Sequence, residues 1–197
     1  MSKIYLSSDL HFFHDKDFIY KPRGFENVLD MNETILKNWN NTISEEDEVY
    51  LLGDLMLGDN NKGIELIKQL NGKIHVILGN HDSATRKNMY LECSNIIEVC
   101  YATQIKYKGY NFYLSHYPTL TANLDESTQI KARVINLGGH SHIKNRFKDM
   151  DKGLIYHVEV DCHNNFPISL DEILFDINHF ISMDKSDQID IIKKDIY

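Results

Sequence analysis

Residues 73–82 read Lys73-Ile74-His75-Val76-Ile77-Leu78-Gly79-Asn80-His81-Asp82, an apolar run that stops abruptly at a polar turn. Ile74, Val76, Ile77 and Leu78 predict a buried β-strand, because the run is too short and too β-branched for a helix. Gly79 permits a sharp bend, and three polar side chains arrive together at the strand's end. In an open α/β sheet that end is where ligands bind. Asn, His and Asp side by side offer a neutral oxygen, a titratable imidazole and a carboxylate, a set suited to metal-assisted hydrolysis.

Working outward, the same grammar recurs. Lys3–Ser8 alternates and gives way to Asp9-Leu10-His11, and Asp47–Gly53 is a buried strand that ends at Asp54. Between them, residues 12–30 are irregular, with Pro22 and Gly24 as breakers, and Met31–Trp39 carries helical spacing. Lys62–Leu70 predicts a helix closed by Asn71-Gly72, and Ser83 a helix N-cap. Further on, Ile96–Tyr107 and Tyr110–Ser115 flank Lys108-Gly109 in a hairpin pattern, and the second arm ends at His116. Residues 117–130 read as a loop. Arg133–Leu137 is a strand ending in Gly138-Gly139-His140-Ser141-His142, Leu154–Val160 is a further strand, and Ser169 caps a helix from Leu170. Parallel βαβ-like units followed by strands in hairpin order predict an α/β protein with a mixed sheet, or two packed sheets, and helices outside.

Composition narrows the classes. The chain has 197 residues and no linker, repeat or low-complexity tract, so one domain over 1–197 is expected. A formal net charge of -8 argues against stable binding to long nucleic acid, though not against a nucleotide held through metal ions. No apolar run is long enough to span a membrane, and residues 1–10 lack a signal-peptide core. Three cysteines, Cys93, Cys100 and Cys162, have no CxxC spacing and read as reduced thiols, so a cytoplasmic location is expected.

Five strand ends thus carry ligand-type residues: Asp9/His11, Asp54, Asn80/His81, His116 and His140/His142. A lone histidine carries little information, but five in succession do. An i, i+2 pair on extended backbone would place both side chains on one face. Carboxylate and imidazole without thiolate suit Mn, Fe, Zn or Ni, and the ligand count favours two divalent metals sharing a bridging carboxylate.

These blocks, D-x-H at 9–11, GD at 53–54, GNHD at 79–82, His116 and GHxH at 139–142, resemble in order the motifs of the calcineurin-like metallophosphoesterases. The flanking residues His14, Arg23-Gly24-Phe25, Met31-Asn32-Glu33, Asn38-Trp39-Asn40 and Pro167-Ile168-Ser169-Leu170-Asp171-Glu172 resemble a compact prokaryotic and phage-type branch. The resemblance implies a four-layer α/β/β/α sandwich of two mixed sheets. It implies one metal on Asp9, His11, Asp54 and His142, and a second on Asp54, Asn80, His116 and His140, with Mn favoured. It further implies attack on phosphorus by a metal-activated hydroxide, Asn80 contacting the phosphate, His81 protonating the leaving oxygen, and Asp82 orienting His81.

The expected activity is hydrolysis of a small phosphoester, a nucleotide-like phosphodiester (cyclic or not) ahead of a phosphomonoester. A metal-binding interaction scaffold is the reading from another class, and it is disfavoured because no ligand position is missing. Around the site, Arg23 reads either as a bidentate phosphate clamp or as a surface ion pair. His14 reads either as a phosphate contact or as a solvated loop residue. Phe12, Phe13 and Tyr117 are candidates for stacking on a base or for core, Asp161 and His163 for the rim, and Glu45–Glu48 for a solvated acidic loop.

Overall fold

Period-two alternation along three neighbouring strands explains the architecture. The computed structural model describes residues 2–121 and 128–194. In β1 (Ile4–Ser7), β2 (Glu48–Leu51) and β3 (Lys73–Ile77), successive side chains feed two different cores. Tyr5, Val49, Leu51, Ile74 and Val76 face one side, while Leu6, Tyr50 and Ile77 face the other. A sheet apolar on both faces must be covered on both, as parallel strands usually are.

The first cover is helical. α1 (Asp17–Tyr20) is a single turn, and α2 (Val28–Thr42) lays Met31, Ile35 and Trp39 on the sheet, joined by Ile64 and Ile67 of α3 (Asn60–Ile67) and Tyr90 of α4 (Ala84–Leu91). Asn27 caps α2, Asp59 caps α3 and Ser83 caps α4, each accepting backbone N–H groups of the first turn. The expected helices form, with α2 longer at both ends than Met31–Trp39 and α3 shifted toward the N-terminus, starting at Asn60 and ending at Ile67, short of the expected stop at Leu70.

The second cover is another sheet. The long stretch expected as one strand over 96–107 divides at exposed Tyr101 into β4 (Ile96–Cys100) and β5 (Ala102–Tyr107). β4 pairs parallel with β3, whereas β5 turns back on β6 (Tyr110–Ser115) as an antiparallel hairpin, so the chain changes sheets between them. β7 (Val134–Gly138) and β8 (Ile155–His157) extend the second sheet in parallel. The strand expected over 154–160 stops at His157, and its continuation forms a 3-10 turn at Val160–Cys162 after Glu159 bridges to Ser8. β9 (Ile168–Ser169) adds antiparallel to β1, completing the sheet orders β4-β3-β2-β1-β9 and β5-β6-β7-β8.

Phe112, Leu114, Ile135, Leu137 and Tyr156 fill the space between the sheets, and α5 (Leu170–Ser182) closes that core with Ile173, Leu174, Ile177 and Phe180. Ser169 and Glu172 form a reciprocal capping box at its start. α6 (Lys185–Lys193) follows, and residues 195–197 of the expected charged tail lie outside the described residues, as do 122–127 of the expected loop. The protein is a mixed α/β sandwich of two sheets with helices outside, and among the described residues no helix is long and apolar enough to cross a membrane. Within the acidic run, Asp47 is buried rather than solvated, accepting from the backbone of Lys3 and Ser44 at 2.7 and 2.9 Å.

Phe112 sits fully buried where the sheets meet. Phe112→Ala is expected to cost about 3–5 kcal/mol in urea unfolding, with the transition remaining cooperative.

Candidate metal centre and active site

The ends of β1 and β2 do not diverge after the strands stop. Asp9 N–H donates to Gly53 O, His11 N–H to Asp54 O and Phe12 N–H to Leu55 O, each at 3.0 Å. This zip carries Asp9, His11 and Asp54 in register into the crevice at the strands' carboxyl ends. The i, i+2 pairs are not extended, contrary to the simplest reading of their spacing. Asp9, His11, Asp54, His140 and His142 all have positive φ, between 50° and 72°. Such left-handed residues cost about 1–3 kcal/mol each and persist where the surroundings over-determine them. Close backbone approach requires glycine here: a Cβ on Gly139 would lie 2.2 Å from Ser8 Oγ and 2.5 Å from Asp9 Oδ2, and one on Gly79 would lie 2.2 Å from Asp54 Oδ1.

The side chains gather in two groups, Asp9/His11/His142 and Asp54/His116/His140, and in each the candidate ligand atoms lie within 4.8 Å of one another. His140 and His142, two residues apart, go to different groups. Asp54 Oδ2 lies 3.6 Å from His11 Nε2 and 3.6 Å from His116 Nε2, so it faces both groups. Asn80 Oδ1 is 2.9 Å from His116 Nε2. In the first group, Asp9 Oδ1 is buried without a hydrogen-bond partner, 3.7 Å from His11 Nε2 and 3.6 Å from His142 Nε2. A buried carboxylate oxygen without a donor is costly, and His11 Nε2 and His142 Nε2 face each other at 3.1 Å. A buried carboxylate oxygen without a hydrogen-bond partner, faced by two imidazole nitrogens, fits a cation.

The surroundings fix the ligands' orientation. His116 Nδ1 donates to Leu52 O at 2.8 Å when Nε2 is kept free as a ligand, and His142 Nδ1 lies 3.1 Å from Asp161 Oδ2. Burial disfavours the charged form of Asp9, but the neighbouring imidazoles of His11, His142 and His116 hold its pKa down to about 2. Burial pushes the pKa of His11 and of His140 down. For His142 burial acts the same way, yet Asp161 and Asp9 outweigh it and raise the pKa.

Arg23 corrects both expectations made for it. Its side chain is fully buried, paired through Nε and Nη2 with Asp161 at 3.0 and 2.7 Å, and it donates to Asp9 O and Leu10 O. With its donors occupied inside the protein it is neither a phosphate clamp nor a surface ion pair. Asp161, held ionised by Arg23 against the cost of burial, in turn orients His142. The sequence offered no local signal for this, since the partners are 138 residues apart.

Asp82 requires a correction too. Its carboxylate accepts from Asp54 N–H and Gly79 N–H at 2.8 Å, from Leu55 N–H at 3.4 Å and from Tyr90 Oη at 2.7 Å. Those bonds turn it away from the His81 ring, so it ties the β2 and β3 turns together instead of orienting that imidazole. His81 is left partly exposed, its Nε2 3.9 Å from Asp54 Oδ2. It lines a cavity of about 250 Å³ together with His11, His14, Phe18, Ile19, Asp54, Asn80, His140 and His142. His14 is therefore not a solvated loop residue: its Nδ1 lies 3.1 Å from His11 Nδ1, and burial together with His11 pulls its pKa to about 4. Phe12 is core, Phe13 is half-buried, and His163 is buried away from the rim.

Residues 2–158 match the model of the calcineurin-like phosphoesterase superfamily domain. The chain belongs to that superfamily. A relative from Methanocaldococcus jannaschii described as an uncharacterised protein is 38% identical over 180 residues, covering 88% of this chain and 90% of the relative. The gene 66 protein of Mycobacterium phage L5 is 25% identical, covering 91% and 96%. Among solved structures, an Aquifex aeolicus protein of unknown function superposes with a TM-score of 0.66 at 24% identity, covering 89% of this chain and 99% of that one. Membership in the phosphoesterase superfamily makes the protein a hydrolase of phosphoesters, and its two ligand clusters are candidate metal sites.

Asp161→Asn keeps the side chain's shape but weakens its hold on His142. Divalent-metal affinity of the phosphoesterase, measured by titration calorimetry, is expected to fall about 10–100-fold. Unaltered affinity would remove Asp161 from the support of the site.

Proposed function

We propose that the protein is a dinuclear metal-dependent phosphodiesterase acting on a small, nucleotide-like substrate. The observation that carries this reading is Asp54 Oδ2, 3.6 Å from an imidazole nitrogen of each cluster, the place of a bridging carboxylate. Asp9, His11 and His142 would hold one cation with Asp54. His116, His140 and Asn80 would hold the other with the same Asp54. The donors are carboxylate, imidazole and amide oxygen with no thiolate, which suits Mn and is compatible with Fe, Zn or Ni.

Bound cations would supply Lewis acidity toward the phosphoryl oxygens and lower the pKa of the attacking water. The chain's own residues supply the rest. His81, at the open side of the cavity and partly exposed, is placed to hand a proton to the leaving oxygen. Asn80, beside His116 and exposed, presents its amide to the phosphate. Asp82 holds the two turns that carry Asp54 and His81 at a fixed separation.

The cavity's charge favours the diester. Among the described residues no Lys or Arg lines it. A phosphomonoester near neutral pH carries a second negative charge that beyond the cations and histidines meets no Lys or Arg here, and a diester does not. Cys93, Cys100 and Cys162 are all free, which accords with a reducing cytoplasm.

Metal-free protein reloaded with Mn should hydrolyse an aryl phosphodiester faster than the matching monoester. Turnover of neither ester with any metal would overturn the enzymatic reading, and a monoester preference would reverse the diester assignment. In the same assay His81→Ala should keep its metals and lose about 10²–10⁴ in turnover, whereas Asp54→Ala should lose metal as well. Full activity in His81→Ala would overturn its role as the acid.

A further inference from the structure

Two aromatic rings stand in the open at opposite ends of the metal centre. Phe18 belongs to the single-turn helix α1, whose neighbouring residues Ile19 and Tyr20 are buried, yet Phe18 itself is 69% exposed and lines the cavity. Its ring meets the edge of His14 at 5.7 Å, and His14 lies against both His11 and His81 at 5.1 and 6.0 Å. Tyr117 follows β6 and is 51% exposed. Its ring lies edge-on to His116 at 5.2 Å and to His140 at 4.7 Å. One ring therefore marks the Asp9/His11/His142 end and the other the Asp54/His116/His140 end.

A single exposed apolar side chain needs no explanation. Two aromatics, each in ring contact with a histidine of the same site and at opposite ends of it, form a pattern that the substrate's shape explains. A phosphodiester has two arms that leave phosphorus in different directions, and exposed aromatic faces bind planar rings by stacking, worth about 1–3 kcal/mol per base. A cyclic mononucleotide carries one base and engages one platform. A linear diester with a ring on each arm engages both.

Building on the phosphodiesterase reading above, we infer that the substrate is a linear, dinucleoside-type phosphodiester, with its leaving arm stacked on Phe18 and its retained arm on Tyr117. The direction follows from His81, the proton donor, which stands on the His14–Phe18 side. Hydrolysis consumes one water. The bond from phosphorus to the Phe18 arm breaks, that arm departs as an alcohol carrying the proton, and the Tyr117 arm keeps the phosphate as a monoester. The net charge of -8 restricts the occupant to a short substrate, because a long polyanion would meet repulsion beyond the metal centre.

The test compares bis(4-nitrophenyl) phosphate, with two rings, and methyl 4-nitrophenyl phosphate, which has the same leaving group and one ring. kcat/KM is measured for the Mn-loaded wild type, Phe18→Ala and Tyr117→Leu, with metal content determined for each. Phe18→Ala should lower kcat/KM about tenfold on both substrates, because both place their leaving ring there. Tyr117→Leu should lower the two-ring to one-ring ratio about tenfold at full metal content. A ratio unmoved in Tyr117→Leu, an equal fall on both substrates, or loss of its metal would overturn the Tyr117 platform. Undiminished activity of Phe18→Ala would overturn the Phe18 platform. In each of those cases an active wild type leaves the phosphodiesterase reading standing, whereas a metal-loaded wild type inert on both diesters overturns that reading itself.

Discussion

The position of one carboxylate organises the molecule. Asp54 is almost fully buried, yet its Oδ2 faces His11 on one side and His116 on the other while Oδ1 accepts the His81 backbone N–H at 2.9 Å. A carboxylate so placed is expensive unless positive charge meets it. The fold holds it there through parallel pairing of β1 with β2, the continued backbone zip beyond their ends, and the Asp82 carboxylate clasping Asp54 N–H and Gly79 N–H. Tyr90 extends the clasp into the helical layer by donating to Asp82 from a fully buried position. The apolar core of α2, α3, α4 and the first sheet therefore bears directly on where the candidate ligands sit.

Strain is concentrated in the same place. The five left-handed ligand-type residues and the sub-van der Waals space at Gly79 and Gly139 lie within the crevice at the strands' carboxyl ends. They are compensated by the two packed sheets, whose apolar faces are buried in the two cores. Arg23 adds a second brace from the outside: by holding Asp9 O, Leu10 O and Asp161 together, it joins the first strand's turn to the segment after β8 and to His142. A buried ion pair of this kind contributes little net stability. Its evident effect is geometric, and it acts on a metal-ligand candidate.

What could be read from sequence was the part carried by local periodicity and by short chemical words. Ile74 to Leu78 announced a strand, and Gly79-Asn80-His81-Asp82 announced a polar turn at its end. The same held at Asp9, Asp54, His116 and His140, and the structure brings all of these ends to one crevice. Interactions between distant segments were not legible. Nothing near Arg23 points to Asp161, and nothing in GNHD says that Asp82 faces Tyr90 and the β2 turn in preference to His81. The switch of sheets at Tyr101 is hidden for a similar reason: Ile96–Tyr107 carries no Gly or Pro to mark a break, and the division shows only in the pairing, β4 with β3 and β5 with β6. Phe18 carries no sequence signal, because its exposure depends on how a one-turn helix packs, which no residue pattern of that length encodes.

The role proposed for Asp54 is to join two cations in one site. Anomalous diffraction from crystals grown with Mn tests it most directly. Two peaks are expected, about 3.5–4 Å apart, on either side of Asp54 Oδ2, one beside Asp9, His11 and His142 and the other beside His116, His140 and Asn80. A single peak at saturating Mn, or two peaks with Asp54 outside the space between them, would contradict it.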